Sequence, residues 1–363
     1  DSLLVFRYSG EGFVPALTQV EPLEDLSAVT FLGEEVSKRH PVVWEWNVGS
    51  PAKVPLDSLI QKEGDYRSGR GIRLESLVPV VEGYKNQTAI GLSARFSDPG
   101  FHNSVDATLS VSPWGDLAQE ERLHANVGFR HLGWELRFKA NGADFYDLFG
   151  PTKTSRKGYA LGLNYDRLLI YDRPRRLDLH VGVTGYAGLE TLPYAQNIFA
   201  TSEELLAFRV DLNYRNVKRS MGAVDGEKGY QWSLLFANNT IPEAAFNGVE
   251  GTFDFGFPFL ARHSSLWLRS AAGYSPGDRD DPFANFFFGG FGNNYVDHRT
   301  EKRYRESYSF PGVDLNAIGG TNFARAQLEW NLPPLRFQRL GKPSFYATWL
   351  RTALFATGIA VSY

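Results

Sequence analysis

Apolar and polar side chains alternate, residue by residue, in many segments of the chain from residue 88 onward. A β-strand with two different faces gives this pattern, because successive side chains of a strand point to opposite sides. In segment 134–141, for example, charged or amide side chains separate the apolar ones. The alternation predicts an all-β protein with strands at 88–96, 105–112, 123–130, 134–141, 159–165, 177–184, 208–215, 229–238, 248–259, 264–274, 324–331 and 353–363.

Two architectures use such strands: a soluble sandwich with its apolar faces inward, and a membrane barrel with its apolar face toward lipid. Trp134, Tyr165 and Trp330 lie near segment ends, where bilayer barrels carry their aromatic girdles. The segments also approach the length of about 9–11 residues that a tilted transmembrane strand needs, whereas sandwich strands are usually shorter. We therefore predict an antiparallel transmembrane β-barrel of about 12–16 strands over residues 88–363, in a bacterial outer membrane.

Residues 1–87 lack this regular alternation and contain only two strand-like runs, at 3–7 and 28–32. No membrane strand is evident among them, so the sequence predicts a non-barrel, periplasmic lead-in over 1–87. The chain begins with Asp1 and has no charged-then-apolar leader, which is typical of a processed or excised piece of a larger protein.

The composition of the chain excludes several kinds of chemistry. There is no cysteine, which rules out disulfides, thiolate metal sites and cysteine nucleophiles. The formal net charge is -3, so the chain has no basic excess to bind the phosphates of nucleic acid. No run of about 18 consecutive apolar residues is present, which excludes a helical membrane span.

The motifs that resemble catalytic or binding sites are weak. The stretch 150–155 superficially resembles a phosphate-binding loop, but Thr152 occupies the place of the glycine before Lys153, so an ordered loop is favoured. Ser264 and Ser265 beside His263 lack the context of a nucleophile elbow. The carboxylates in 277–282 could bind Ca²⁺, but they lack the alternating ligand order of a dedicated loop, so a solvated turn is favoured. We predict no catalytic residue, no metal and no cofactor.

Two parts of the chain carry a resemblance to known families. Residues 1–13, a hydrophobic strand followed by a glycine-containing turn, resemble the last blade of a TolB-type propeller. The segments 286–291, 317–330 and 350–355 resemble the closing part of the barrels of the outer-membrane assembly-factor and surface-antigen superfamily. In that superfamily a Gly-Gly pair precedes a long loop that folds into the barrel lumen, followed by a strand with a Leu-Glu-aromatic ending.

The resemblance implies a lumen loop at 291–316 that follows Gly289 and Gly290. The Arg-Gly-aromatic tip of the family loop is missing here, and the cations in its place are Arg299, Arg303 and Arg305. The lumen wall is predicted to carry Arg137, Arg209, Arg325 and Glu329. These charges either line an aqueous passage or pair with one another and with the loop as a plug; a narrow barrel favours the plug.

The last strand resembles an outer-membrane targeting signal through Gly358, Val361 and Tyr363. The expected function is to anchor a larger envelope protein in the outer membrane, and the resemblance adds help with polypeptide translocation or insertion. The alternatives are a passive, porin-like solute channel and a structural barrel subunit of a multi-protein envelope complex. The expected partners are outer-membrane lipid and other envelope proteins, without nucleic acid.

Overall fold

The computed structural model describes residues 2–9, 12–19, 25–27, 47–49, 55–60, 64, 69, 71–144, 155–193, 202–281, 283–291, 302–342 and 345–362. The chain forms two compact units, Asp1–Arg67 and Ser68–Tyr363. Within the described ranges, no helix has both the length and the apolar character needed to cross a membrane.

The first unit contains two small antiparallel sheets. Strand β1 (Ser2–Ser9) pairs with β2 (Gly12–Gln19), and β3 (Asp25–Ser27) pairs with β4 (Asn47–Gly49). A short helix, α1, spans Leu56–Leu59. The strand predicted at 3–7 is thus confirmed as β1, whereas the run predicted at 28–32 lies outside the described residues.

The second unit is built on one antiparallel sheet of 13 strands. From β5 to β15, each strand is hydrogen-bonded to the next one along the chain, and β18 and β21 complete the sheet. The strands are β5 (Arg73–Tyr84), β6 (Gln87–Ser97), β7 (Asn103–Val111), β8 (Leu123–His131), β9 (Trp134–Gly142), β10 (Arg156–Asp172), β11 (Arg175–Ala187), β12 (Leu205–Lys218), β13 (Lys228–Ile241), β14 (Ala244–Pro258), β15 (Ser265–Tyr274), β18 (Asn322–Asn331) and β21 (Ala353–Val361).

The all-β class and the antiparallel strands predicted from 88 onward are confirmed, since each alternating segment coincides with one strand of this sheet. Strands β10 to β14 are longer than predicted, and β10 alone has 17 residues. The alternation of apolar and polar residues weakens at the ends of these strands. At the turn from β10 to β11, for example, Asp172 and Arg175 form an ion pair.

Strand β5 lies inside the segment predicted as a lead-in, so the sheet begins at Arg73, ahead of the predicted boundary after residue 87. The division between the compact units falls between Arg67 and Ser68. Periodicity did not reveal β5 because its register shifts between Leu74 and Ser76 and because Pro79 interrupts the pattern.

Two further hairpins interrupt the order of the sheet. Between β15 and β18, β16 (Phe286–Phe288) pairs with β17 (Ile318–Gly320). Between β18 and β21, β19 (Leu335–Lys342) pairs with β20 (Phe345–Leu350). The hairpin of β19 and β20 continues the β18–β21 pair. The break between β18 and β19 falls at Pro333 and Pro334, which have no N–H to donate to a neighbouring strand.

The large sheet has two chemically different faces. On one side, here called the apolar face, large aliphatic side chains are exposed; Leu92, Leu161 and Leu328 are 53%, 57% and 51% exposed. On the other side, here called the polar face, the register aligns charged and small residues, and Glu329 is fully buried. The alternation in the sequence therefore corresponds to a real difference between the faces.

Candidate functional site

A densely connected site of the second unit lies where the chain between β15 and β18 folds onto the polar face. We call residues 275–321 the insertion; 275–281, 283–291 and 302–321 of it are described. Gly289 and Gly290 hold its two arms together, because Gly290 N donates to Val313 O (3.0 Å) and Gly290 O accepts from Phe310 N (3.0 Å). Gly289 has a φ of +155°, and a Cβ there would overlap the Asp314 carbonyl oxygen, so a larger residue would force the arms apart.

Glu329 on β18 receives the main charged contact of the insertion. Arg305 donates from Nε to both carboxylate oxygens of Glu329, each at 3.0 Å, and also from Nη2. From the neighbouring strand β15, Arg269 Nε donates to the same carboxylate at 2.7 Å. Two guanidinium groups therefore neutralise one fully buried carboxylate.

Arg325, four residues before Glu329 on β18, binds the backbone of the insertion. Its Nε donates to Ser309 O at 3.2 Å and its Nη2 to Tyr304 O at 3.1 Å. The guanidinium group thus donates to two carbonyl oxygens of the turn of the insertion, of which Tyr304 O also accepts from Ser309 Oγ. Arg325 is itself 3% exposed, so its charge lies within the contact.

A second carboxylate, Asp225 in the connection between β12 and β13, extends the network. It accepts from Lys302 Nζ at 3.0 Å and pairs with Arg305 at 3.5 Å and with Arg351 at 3.3 Å. Burial raises the pKa of Asp225, but Arg305, Lys302 and Arg351 outweigh it and hold the pKa below its usual value. For Lys302, burial and the nearby Arg305 lower the pKa more than Asp225 raises it.

An aromatic cluster completes the contact between the insertion and the polar face. Phe288 is fully buried and packs with Phe323 of β18, with ring centroids 4.7 Å apart. Tyr304 stacks on Phe355 of β21 at 4.1 Å, and Tyr308 donates its hydroxyl to the buried Glu250 at 2.5 Å. The insertion therefore covers apolar as well as charged parts of four strands.

The structure brings together only some of the predicted site residues. Gly289, Gly290, Arg303, Arg305, Arg325 and Glu329 all lie in or beside the docked insertion. Arg137 and Arg209 lie on the polar face outside the charge network around Glu329: Arg137 pairs with Glu135 at 2.5 Å and with Asp106 at 3.1 Å, and Arg209 pairs with Asp211 at 2.6 Å. Arg299 lies outside the described residues.

The three residues of the predicted targeting signal have different surroundings. Gly358 lies on the apolar face opposite Ala326, whereas Val361 packs against the aromatic cluster of the polar face. Tyr363 lies outside the described residues.

Sequence reasoning missed Asp225, Lys302, Glu250 and Tyr308. Asp225 lies 77 positions before Lys302 and 126 before Arg351, and no periodic pattern relates residues so far apart. Glu250 occupies an ordinary polar position of its strand. Its burial under Tyr308 becomes apparent only when the insertion is folded.

The motifs set aside in the sequence have ordinary structural roles where they are described. Ser264 Oγ donates to Asn331 O at 2.9 Å, and His263 Nδ1 lies 3.0 Å from Glu227, so Ser264 is not paired with His263. Most of the 150–155 stretch lies outside the described residues. Among the described residues, no group of three or more His, Cys, Asp or Glu side chains could hold a metal ion.

Comparison with known protein families and with curated proteins gives no match to this chain. Conclusions about its function therefore depend on the residues and their geometry. The arrangement described above can hold a polypeptide segment firmly against one face of a sheet, through a buried charge network and an aromatic cluster.

Proposed function

We propose that Ser68–Tyr363 is an outer-membrane β-barrel that anchors a larger envelope protein, with the insertion docked on the lumen wall as a plug. The observation that carries this proposal is the contrast between the two faces of the sheet. Large aliphatic side chains such as Leu161 and Leu328 are half-exposed on the apolar face, while ionised groups such as Glu329 are buried on the other. Exposed apolar surface of this extent marks a membrane or protein contact.

Aromatic residues near both ends of the strands support the same proposal. At one end of the sheet, Trp134 and Tyr165 pack with ring centroids 4.6 Å apart, and Phe259 packs on Trp330 at 5.8 Å. Tyr159, near the opposite end, is 56% exposed. Bilayer barrels place aromatic rings at these two levels, where their polar and apolar parts meet headgroups and hydrocarbon.

Two adjacent residues of β12 allow a direct test of which face contacts hydrocarbon. Leu212 belongs to the apolar face and Asn213 to the polar face. In folding into lipid vesicles, Leu212→Arg should cost about 2–4 kcal/mol, because an arginine would enter the bilayer, while Asn213→Arg should cost far less. Equal costs, or a purified protein that stays monodisperse in buffer without detergent, would contradict a membrane barrel.

The buried charges favour a plugged scaffold over a passive solute channel, since Arg305 of the insertion is paired with Glu329 on the polar face. Conductance in planar bilayers separates the two functions: the intact protein should be silent, and deletion of 291–316 should produce large openings. Steady large openings of the intact protein would instead establish a porin-like channel. Help with polypeptide translocation or insertion is a narrower proposal, supported by the sequence resemblance, with the insertion as the docking element.

A further inference from the structure

A cavity of about 510 Å³ lies on the polar face between strands β10–β14 and the insertion, away from the charge network. Small side chains form its floor in a register-aligned row that includes Gly182, Ala237 and Gly248, with Arg209 between the first two. The next row contributes Thr184 and Ala207. The sheet therefore leaves room at this place, with a volume in the ~300–1,000 Å³ range typical of small-molecule sites.

The insertion covers the cavity with aromatic side chains. Phe283, Phe286, Phe287 and Tyr308 line it from this side. Phe283 packs on Phe246 of β14, with ring centroids 5.8 Å apart, and this contact holds one edge of the insertion against the sheet. A ligand in the cavity would thus meet aromatic surface on one side and polar backbone and side chains on the other.

The charged groups that line the cavity already have partners. Arg209 donates to both oxygens of Asp211, at 2.6 and 2.9 Å. Glu250 accepts from Tyr308, and His180 contacts Asp166 at 2.7 Å. The lining therefore offers little uncompensated charge to an ionic ligand.

Carboxamide groups, in contrast, remain available in the lining. The side chains of Asn164 and Asn239 make no hydrogen bond with any other residue in the described part of the chain. Within the same part, Oδ1 of Asn316 is buried without a hydrogen-bond partner. Each carboxamide carries two donors and an acceptor, which suits vicinal hydroxyl groups.

We propose that this cavity binds a neutral saccharide of one or two rings. A pyranose ring presents an apolar C–H face, which packs on aromatic side chains such as Phe286 and Phe287, and a rim of hydroxyls for Asn164 and Asn239. The paired charges of the lining favour a neutral ligand over an anionic one. This inference goes beyond the proposed anchoring function and does not depend on it.

The test is isothermal titration of the full chain, purified in a detergent without a sugar headgroup, with the neutral disaccharides maltose, cellobiose and N,N′-diacetylchitobiose. We expect saturable binding of at least one disaccharide. Asn239→Leu should weaken this binding at least about tenfold, the effect of losing one or two hydrogen bonds. Asn213→Leu is the matched control, because Asn213 lies on the same face outside the cavity lining, and it should leave binding unchanged.

A filling variant separates binding from folding. A Cβ added at Gly248 meets no atom within 4 Å, so Gly248→Leu should project into the cavity and abolish binding while the thermal unfolding midpoint stays the same. Absence of binding by all three disaccharides at about 10 mM would overturn the proposal, since the free energy of binding would then be smaller in magnitude than about 3 kcal/mol. Tighter binding of glucose 6-phosphate than of glucose would overturn the preference for a neutral ligand.

Discussion

At the scale of single residues, Glu329 is the group on which docking of the insertion most depends. Its carboxylate is fully buried, and it is compensated by Arg269 from the sheet and Arg305 from the insertion. A buried ion pair contributes modestly as a whole, but removing one partner leaves the other charge uncompensated. The alternation predicted Glu329 and Arg325 on the polar face, and the family resemblance predicted Arg305 in a loop that could pair with them, yet nothing in the sequence pointed to Asp225 as their neighbour.

Glu329→Gln should destabilise the docked insertion by about 1–3 kcal/mol, because Arg269 and Arg305 would lose the carboxylate that they share and keep only Asp254 and Asp225, respectively, as counter-charges. Limited proteolysis measures this as faster cleavage within 302–310. Glu135→Gln is the control, since Glu135 pairs with Arg130 and Arg137 on the polar face away from the insertion. Equal acceleration in both variants would refute the role given to Glu329.

Acid should loosen the same contact through Asp225. Because the folded-state pKa of Asp225 is lowered, its ionised form stabilises docking above its ordinary pKa of 3.8, and this contribution disappears as the pH falls through the folded-state pKa. At neutral pH, Asp225→Asn should therefore increase hydrogen exchange of 302–310 relative to the unmodified protein. The difference between the two proteins should vanish in strong acid; a difference independent of pH would contradict this account.

At the scale of elements, period-two alternation located strands well because each strand of the sheet has chemically different faces. It failed at β5, where Pro79 and a register shift break the period. It located β21 but did not show which side of that strand is the polar face, since Phe355 and Ile359 lie on the polar face beside Tyr304 and the aromatic cluster. An apolar residue that faces the insertion and one on the exposed apolar face look the same in a sequence.

Close packing between β14 and β15 gives a test of how tightly the side chains of the large sheet are packed. A Cβ at Gly256 would overlap the buried indole of Trp267, which donates to Gly226 O and cannot move freely. Gly256→Ala should lower the free energy of unfolding by about 1–3 kcal/mol in urea titrations, as overpacking does. Gly358→Ala is the matched control, because a Cβ there meets no atom within 4 Å, and a loss as large as that of Gly256→Ala would disprove the packing argument.

At the scale of the whole sheet, the odd number of strands determines the relative direction of its two edge strands. Neighbouring strands are antiparallel throughout, so the first of the 13 strands, β5, and the last, β21, run in the same direction. Most antiparallel barrels have an even number of strands, and in a barrel formed by these strands alone β5 and β21 would pair in parallel. Composition and alternation could not predict this, because the strand count depends on β5.

Cysteine cross-linking tests closure, and the native chain contains no cysteine to interfere. Leu74 and Leu354 lie at the same end of their strands and on the same face, whereas Ala360 lies at the opposite end. A short bifunctional thiol reagent should join the Leu74→Cys and Leu354→Cys pair in the folded protein, but not the Leu74→Cys and Ala360→Cys pair. The reverse result would contradict parallel closure.

The sequential order of the sheet also has a kinetic consequence. From β5 to β15, every strand pairs with its immediate successor, so the sheet can grow one hairpin at a time through contacts that are local in the chain. The insertion is enclosed within a single connection, but its lysine and arginine partners for Asp225 lie about 80 positions away in the chain. The large sheet should therefore form first, and the insertion should dock on its polar face in a late and separable step of folding.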